Sequence, residues 1–323
     1  MTEFQIVLIQ TLQDQAAWLA VPMQFFSFLG QPEFYLLVVA ILYWCWDPRL
    51  GLRLGLLLGI SGGLNEALKV AFHLPRPYWV SPEVRALGSH PSFGLPSGHA
   101  QGAATFWGLV AADARRKWLS LFAIALIFLI GASRVVLGVH FPMDVITGWA
   151  VGIVVLIGFL ALEKPVGRRV AALRLSRQVL LAFAGSLILA LLSFATLASL
   201  GDWQIPASWA AGALEQSGES IHPLSLQDAV TASGLFFGFA AGAAAERHRG
   251  SMCAIMKGSV RLFRYAIGIF VTGVIWFGLG LLIPQDPAWV VYLSLYLRAA
   301  AAGAWVSFGA PMFFARLNLV GGT

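Results

Sequence analysis

The chain has 323 residues, of which 59% are hydrophobic and only 11% charged. A soluble domain carries about 25% charged residues, so a water-soluble globule is excluded. The formal net charge of +6 could serve a nucleic-acid surface, but the basic residues are dispersed between long apolar runs. That distribution speaks for a bilayer and against a nucleic-acid partner.

Residues 1–30 contain no Lys or Arg and so lack the basic start of a secretory signal peptide. Their stretch FQIVLIQTLQDQAAWLAVPMQFF predicts an amphipathic helix lying on the membrane surface. A span needs roughly 20 apolar residues. Runs of this kind fall near residues 32–46, 54–74, 97–112, 118–137, 143–162, 178–200, 228–245, 265–283 and 287–314. The expected fold is therefore all-α, a polytopic transmembrane helical bundle of nine spans plus the N-terminal amphipathic helix. Four segments follow: residues 1–30, a five-span core over 31–162, a basic cytoplasmic linker over 163–177, and a four-span extension over 178–323 whose role the sequence leaves open.

Basic residues recur between alternate spans: Arg49 and Arg53; Arg115, Arg116 and Lys117; Lys164, Arg168, Arg169, Arg174 and Arg177; Arg247, Arg249, Lys257, Arg261 and Arg264. The positive-inside rule assigns these connections to the cytoplasm, with the N-terminus outside and the C-terminus inside. Lys69, Arg76, Arg85 and Arg134 are left on the outer side, and Arg298 lies within a span. Arg298 is read as paired within the extension, because a charge in the bilayer needs a partner.

Two further features are assigned no chemistry. Glycines recur every fourth residue at Gly51, Gly55, Gly59 and Gly63, and again at Gly234, Gly238 and Gly242, the spacing of close helix packing in lipid. Cys45 and Cys253 are far apart and without metal-type spacing, so they are read as buried thiols.

Three polar clusters interrupt the apolar pattern on the outer side: KVAFHLPRP at 69–77, FGLPSGHA at 93–100 and SRVVLGVHFPMD at 133–144. Lys69, Arg76 and Arg134 offer charge-assisted donors for a phosphate. Ser97 and Gly98 open a helix and bring backbone N–H groups to the same anion. His140 is the candidate nucleophile, because Pro142 can start a helix with Asp144 in its first turn, holding one ring nitrogen. His99 remains as general acid for the leaving oxygen. No carboxylate cluster for magnesium and no His/Cys set for zinc is present, so no metal and no cofactor is expected. Glu66, one helical turn before Lys69, and Asn65 are candidate supports, as is Ser133. His73, Arg85 and His90 are read as solvated surface.

Lys69 with Arg76-Pro77, Pro96-Ser97-Gly98-His99, and Ser133-Arg134 with His140 and Asp144 together resemble the signature of the type 2 phosphatidic acid phosphatase superfamily, with every spacing kept. The similarity covers residues 30–162. It implies a helical catalytic core, a phosphohistidine formed on His140, proton donation by His99, orientation by Asp144, and phosphate binding by Lys69, Arg76, Ser97, Gly98 and Arg134. FGLPSGHA and SRVVLGVHFPMD are also similar to the sphingosine-phosphate phosphatase branch. The expected activity is an integral membrane phosphatase acting on a lipid phosphate or diphosphate from the outer face of a bacterial inner membrane. Two alternatives are a lipid phosphotransferase using the same residues, and a lipid transporter or scramblase with the C-terminal spans as transport module. Substrate identity and oligomeric state are not legible.

Overall fold

The computed structural model describes residues 2–114, 116–250 and 258–319. Arg115, Cys253 and Lys257 lie outside the described residues. All regular structure among the described residues is helical: α1 Thr2–Gln15, α2 Ala20–Phe28, α3 Pro32–Ile41, α4 Pro48–Phe72, α5 Pro77–Val80, α6 Gly98–Asp113, α7 Lys117–Val136, α8 Pro142–Ala171, α9 Leu175–Ser199, α10 Ala207–Ser217, α11 Gln227–Arg249, α12 Gly258–Gly273, α13 Ala288–Ala304 and α14 Ala310–Arg316. Short π-helical turns follow α3, α12 and α13 at Leu42–Trp46, Val274–Gly278 and Trp305–Gly309.

The polytopic bundle is as expected, but the count of spans is not. Among the described residues seven helical segments are long and apolar enough to cross a membrane, or eight if the pair Ala17–Phe28 and Pro32–Trp46, bent by 50°, is one span. The expected ninth is α6, whose 16 residues reach only about 24 Å at 1.5 Å per residue, short of the roughly 30 Å hydrocarbon core. The apolar run read from the sequence, residues 97–112, is itself only 16 residues long and falls short of the roughly 20 a span needs. The N-terminal stretch is likewise not one surface helix. It breaks into α1 and α2 around a 3₁₀ turn at Ala17–Leu19. Although Phe4, Val7, Trp18 and Val21 are exposed, Ile9 and Gln13 are buried. The Gln13 amide bonds the carbonyls of Arg85 and Val136.

The chain forms two compact units. The first comprises residues 1–34, 64–159 and 192–225. Its core joins Ile9 of α1, Tyr78 and Trp79 of α5, Val84, Phe93, Val135 to Leu137 at the end of α7, Val139, Phe141, and Ala213 of α10. Local chemistry sets the helix ends that matter. Pro96 precedes Ser97, whose hydroxyl accepts the Ala100 N–H and caps α6. Pro142 opens α8 with its preset backbone angle, leaving Asp144 in the first turn. Between α7 and α8 the chain reverses at Gly138, whose φ of +72° suits glycine.

The second unit comprises residues 35–63, 160–191 and 226–323. Here the glycine rows pack as expected. A Cβ on Gly238 would sit 2.6 Å from the Ala300 carbonyl carbon, and one on Gly234 3.0 Å from the Cα of Tyr296, so α11 meets α13 backbone to backbone. Gly55 accommodates the Phe239 ring and Gly63 the Leu189 side chain. Arg53 forms a two-pronged ion pair with Glu163, its Nε 2.7 Å and its Nη2 2.9 Å from the two carboxylate oxygens. Arg298 finds its partner in an aromatic face, the guanidinium carbon 4.3 Å from the Trp276 ring centroid. Cys45 is buried, its thiol 3.3 Å from the Arg261 carbonyl oxygen.

Candidate active site

Four helix ends meet at one end of the first unit: the C-termini of α4 and α7 and the N-termini of α6 and α8. They bring together the sequence-predicted site residues, except that the Ser133 side chain stays bonded within its own helix. His140 stands between a carboxylate and a guanidinium. Its Nδ1 is 3.3 Å from Asp144 Oδ2 and its Nε2 is 3.0 Å from Arg76 Nη1. An arginine can only donate, so Nε2 carries the lone pair and Nδ1 carries the proton, directed at Asp144. Asp144 Oδ2 is itself held by the Phe141 N–H at 2.9 Å, while its backbone carbonyl takes the Ser97 N–H at 3.0 Å. The carboxylate therefore orients the histidine, and its backbone ties the start of α8 to the cap of α6.

Arg76 is fully committed. Nε donates to the Ser92 carbonyl at 2.6 Å, Nη1 to the Val139 carbonyl at 2.9 Å, and Nη2 to the Phe93 carbonyl at 3.1 Å and the Ser92 hydroxyl at 3.2 Å. Lys69 Nζ donates to Glu66 at 2.8 Å and to the same Ser92 hydroxyl at 3.2 Å. Arg134 donates to the Ser27 hydroxyl of α2 and, at 2.5 Å, to His90 Nε2. Its Nε is buried and has no partner among the described residues, and the same is true of His99 Nε2.

Asn65 spans from α4 to α6, donating to Gln101 at 2.8 Å and to the Pro96 carbonyl at 3.4 Å. A Cβ on Gly98 would stand 2.9 Å from the Asn65 side-chain oxygen and 3.9 Å from Lys69 Nζ, so only glycine lets the two helices approach this closely here. Ser133 is completely buried and gives its hydroxyl to the Ile130 carbonyl at 2.7 Å, a bond within its own helix. Ser97 uses its N–H and hydroxyl on Asp144 and Ala100, so the open first-turn donors of α6 are those of Gly98 and His99.

Lys69, Arg76, Arg134, His99, His140 and Asp144 are each less than a tenth exposed. Three cations thus face two carboxylates, Glu66 and Asp144, with little water. An uncompensated buried ion costs several kcal/mol, so the excess of positive charge suits an incoming anion. Burial, followed by the charges of Arg76 and Arg134, holds His140 well below the ordinary imidazole range. Burial with Arg76, Arg134 and Lys69 does the same to His90. Both rings are therefore neutral at neutral pH.

Three partners escaped the sequence reading. His90, taken for solvated surface, packs its ring 5.6 Å from that of His99 and accepts from Arg134. Ser92 joins Lys69 to Arg76, and Ser27 comes from the N-terminal segment. Among the described residues no three His, Cys, Asp or Glu side chains converge as a metal site would require. The site instead gathers phosphate-type donors around a carboxylate-aimed histidine.

This geometry coincides with what the chain matches. The PAP2 superfamily profile covers residues 50–167, which contain every catalytic candidate, and the profile described as PAP2 superfamily phosphatase, transmembrane extension, covers residues 230–322. The undecaprenyl-diphosphatase of Sulfolobus acidocaldarius is 32% identical over 145 residues, 43% of this chain and 68% of that protein. The chain belongs to the PAP2 superfamily. Other relatives are spread across the superfamily. Human glucose-6-phosphatase 3 is 27% identical over 173 residues, 46% of this chain and 50% of its own length. A probable sphingosine-1-phosphate phosphatase of Dictyostelium discoideum is 32% identical over 144 residues, 39% of this chain and 34% of its own. The chain thus spans half or less of these last two relatives. As a PAP2 member with an added transmembrane segment, it carries its polar clusters in the matched core and its Arg298–Trp276 pair in the extension.

Proposed function

We propose that the protein is an integral membrane phosphatase that removes phosphate from a lipid phosphate or diphosphate through a phosphohistidine, without a metal ion. The observation that carries this reading is the neutral His140, aimed by Asp144, beside the unpartnered Nε2 of His99 in a site with more cationic than anionic groups. On arrival of the phosphate, its oxygens replace the Arg76 contact at His140 Nε2 and engage the free Nε of Arg134, Lys69 and the first-turn N–H groups of α6. The Nε2 lone pair then attacks phosphorus. As the P–N bond forms, the P–O bond to the lipid breaks and His99 delivers its proton to the departing oxygen. The bound dianion supplies the negative charge that lets His99 carry that proton. Water then attacks the phosphohistidine with His99 as base, phosphate leaves, and His140 is restored with its Nδ1 proton on the Asp144 side throughout.

A lipid substrate is favoured by what surrounds the reacting histidine. Met143 and Ile146, flanking Asp144 on α8, are 44% and 52% exposed, apolar surface where a hydrocarbon tail can rest. Two of the relatives described above are named for undecaprenyl diphosphate and sphingosine 1-phosphate, and the third for glucose 6-phosphate. The basic residues Arg116 and Lys117 lie at the opposite ends of α6 and α7 from the site. The positive-inside rule therefore favours an extracytoplasmic active site.

The test is phosphate release in detergent from a panel of phosphatidate, phosphatidylglycerol phosphate, a polyprenyl diphosphate, sphingosine 1-phosphate and glucose 6-phosphate. We expect release from at least one lipid, unaffected by EDTA, competitively inhibited by vanadate and lost in His140→Ala. Release that survives His140→Ala, or that EDTA abolishes and magnesium restores, overturns the mechanism.

A further inference from the structure

Residues 200–225 connect α9 to α11 and fall between the two matched segments, 50–167 and 230–322. They nevertheless belong to the same compact unit as the site. This connection grips the loop that carries His90 and Ser92. The His222 N–H donates to the Pro91 carbonyl at 3.1 Å, and the Ser89 hydroxyl donates to the Glu219 carboxylate at 2.5 Å. Gln216 reaches the Pro82 carbonyl at 3.0 Å. Trp203 packs its ring 5.9 Å from Phe93 and 5.1 Å from His73, while Trp209 lies 6.3 Å from Trp79. The α10 helix meets the backbone of Trp79 so closely that a Cβ on Gly212 would stand 3.2 Å from its carbonyl carbon.

From the other side, the Tyr78 hydroxyl holds both backbone groups of His90 at 3.1 Å. His90 is thus clamped at its own backbone and at both neighbouring residues. Its side chain ends on Arg134, and the Arg134 Nε that it leaves free is, with His99 Nε2, one of the two buried side-chain nitrogens of the site without a partner among the described residues.

We infer that the 200–225 connection is a positioning element for the reaction, fixing His90 so that His90 aims the Arg134 guanidinium at the substrate phosphate. This rests on the phosphatase reading for its purpose, but not for its test. His90 touches no reacting atom. It acts through Arg134, whose reach to a phosphate depends on which face of the guanidinium His90 occupies. The polar chemistry of the extension's outer connection thereby enters a site otherwise built by the matched core and Ser27 of α2.

The experiment uses full-length protein in detergent, with vanadate affinity by calorimetry and, separately, KM and kcat on dioctanoyl phosphatidate. His90→Ala should weaken vanadate binding about tenfold, the effect of losing a hydrogen bond to a charged group. His90→Gln, whose amide oxygen still accepts from Arg134, should recover most of it. Glu219→Ala, an exposed change that leaves folding intact, should weaken vanadate about threefold and raise KM more than it lowers kcat. His222→Pro, which deletes the N–H bonded to Pro91, should do more. In the His90→Ala background Glu219→Ala should add nothing. Wild-type vanadate affinity in both connection variants, or a full additive effect of Glu219→Ala without His90, overturns the inference. Vanadate binding needs no turnover, so absence of phosphate release would count against the phosphatase reading alone.

Discussion

Asp144 Oδ2 lies 3.3 Å from His140 Nδ1 and 2.9 Å from the Phe141 amide nitrogen, so one carboxylate oxygen fixes both the ring and the turn that carries it. Asp144→Asn keeps the size but removes the charge that selects the Nδ1–H tautomer. We expect kcat to fall by roughly 100-fold or more, with KM within a factor of about three. Steady-state kinetics on whichever lipid phosphate the wild type hydrolyses will decide this; an unchanged kcat would mean that Asp144 does not orient the nucleophile.

Ser92 Oγ is the shared acceptor of Lys69 and Arg76. Ser92→Ala releases both cations from their common anchor. The expected result is a rise of about tenfold in KM and in the vanadate inhibition constant, with a smaller change in kcat. If neither constant moves, Ser92 is not needed to hold the two cations.

The depressed His90 and His140 give the substrate-free protein a pH-dependent stability. The folded state keeps both rings neutral, while the unfolded chain takes up protons below its ordinary histidine value of about 6.5. The unfolded state therefore binds more protons, and stability falls as the pH drops through that value, by up to about 1.4 kcal/mol per pH unit for each ring. Thermal unfolding in detergent between pH 7.5 and 5 should show a falling midpoint. Replacing both histidines by Gln should lessen the slope, with the remainder coming from His99, which burial and Arg134 also hold below the ordinary imidazole range. Vanadate should oppose the fall. An equally steep fall in the double variant would assign the effect elsewhere. Catalytically, the nucleophile stays unprotonated below pH 6.5, so loss of the His140 lone pair sets an acid limb displaced to lower pH than an ordinary imidazole.

Gly238 lets α11 lie on the Ala300 backbone of α13. Gly238→Val forces these helices apart and should lower the thermal midpoint of the full-length protein by several degrees, since losses of 1–3 kcal/mol are usual for overpacking. A midpoint at the wild-type value would show that this helix pair tolerates separation.

The sequence by itself determined the helical membrane architecture and pointed to most of the candidate site residues. Long apolar runs have one solution in a bilayer, where every backbone polar group must be paired within its own helix. The catalytic candidates were legible because each sits a fixed number of residues from a helix end: Lys69 near the end of α4, Ser97 to His99 at the capped start of α6, Arg134 near the end of α7, Asp144 one turn into α8 behind Pro142. The count of nine is not matched because two of the apolar runs, 32–46 and 97–112, are shorter than the roughly 20 residues a span needs, and the first reaches that length only if it joins the segment before the bend at residues 29–31.

Only the tertiary structure decided what holds those groups. His90 and Arg134 are 44 residues apart and Ser27 and Arg134 are 107 apart. A lone His or Ser in a loop carries no periodicity or spacing that would reveal such a partner. The same holds for residues 200–225, polar and without a motif, whose packing against Phe93 and Trp79 depends on where the chain returns after α9. Local rules set the helix ends and hence the chemistry on them; the contacts that orient Arg134 and Arg76 arise only when distant loops share one buried space and their polar groups must find partners there.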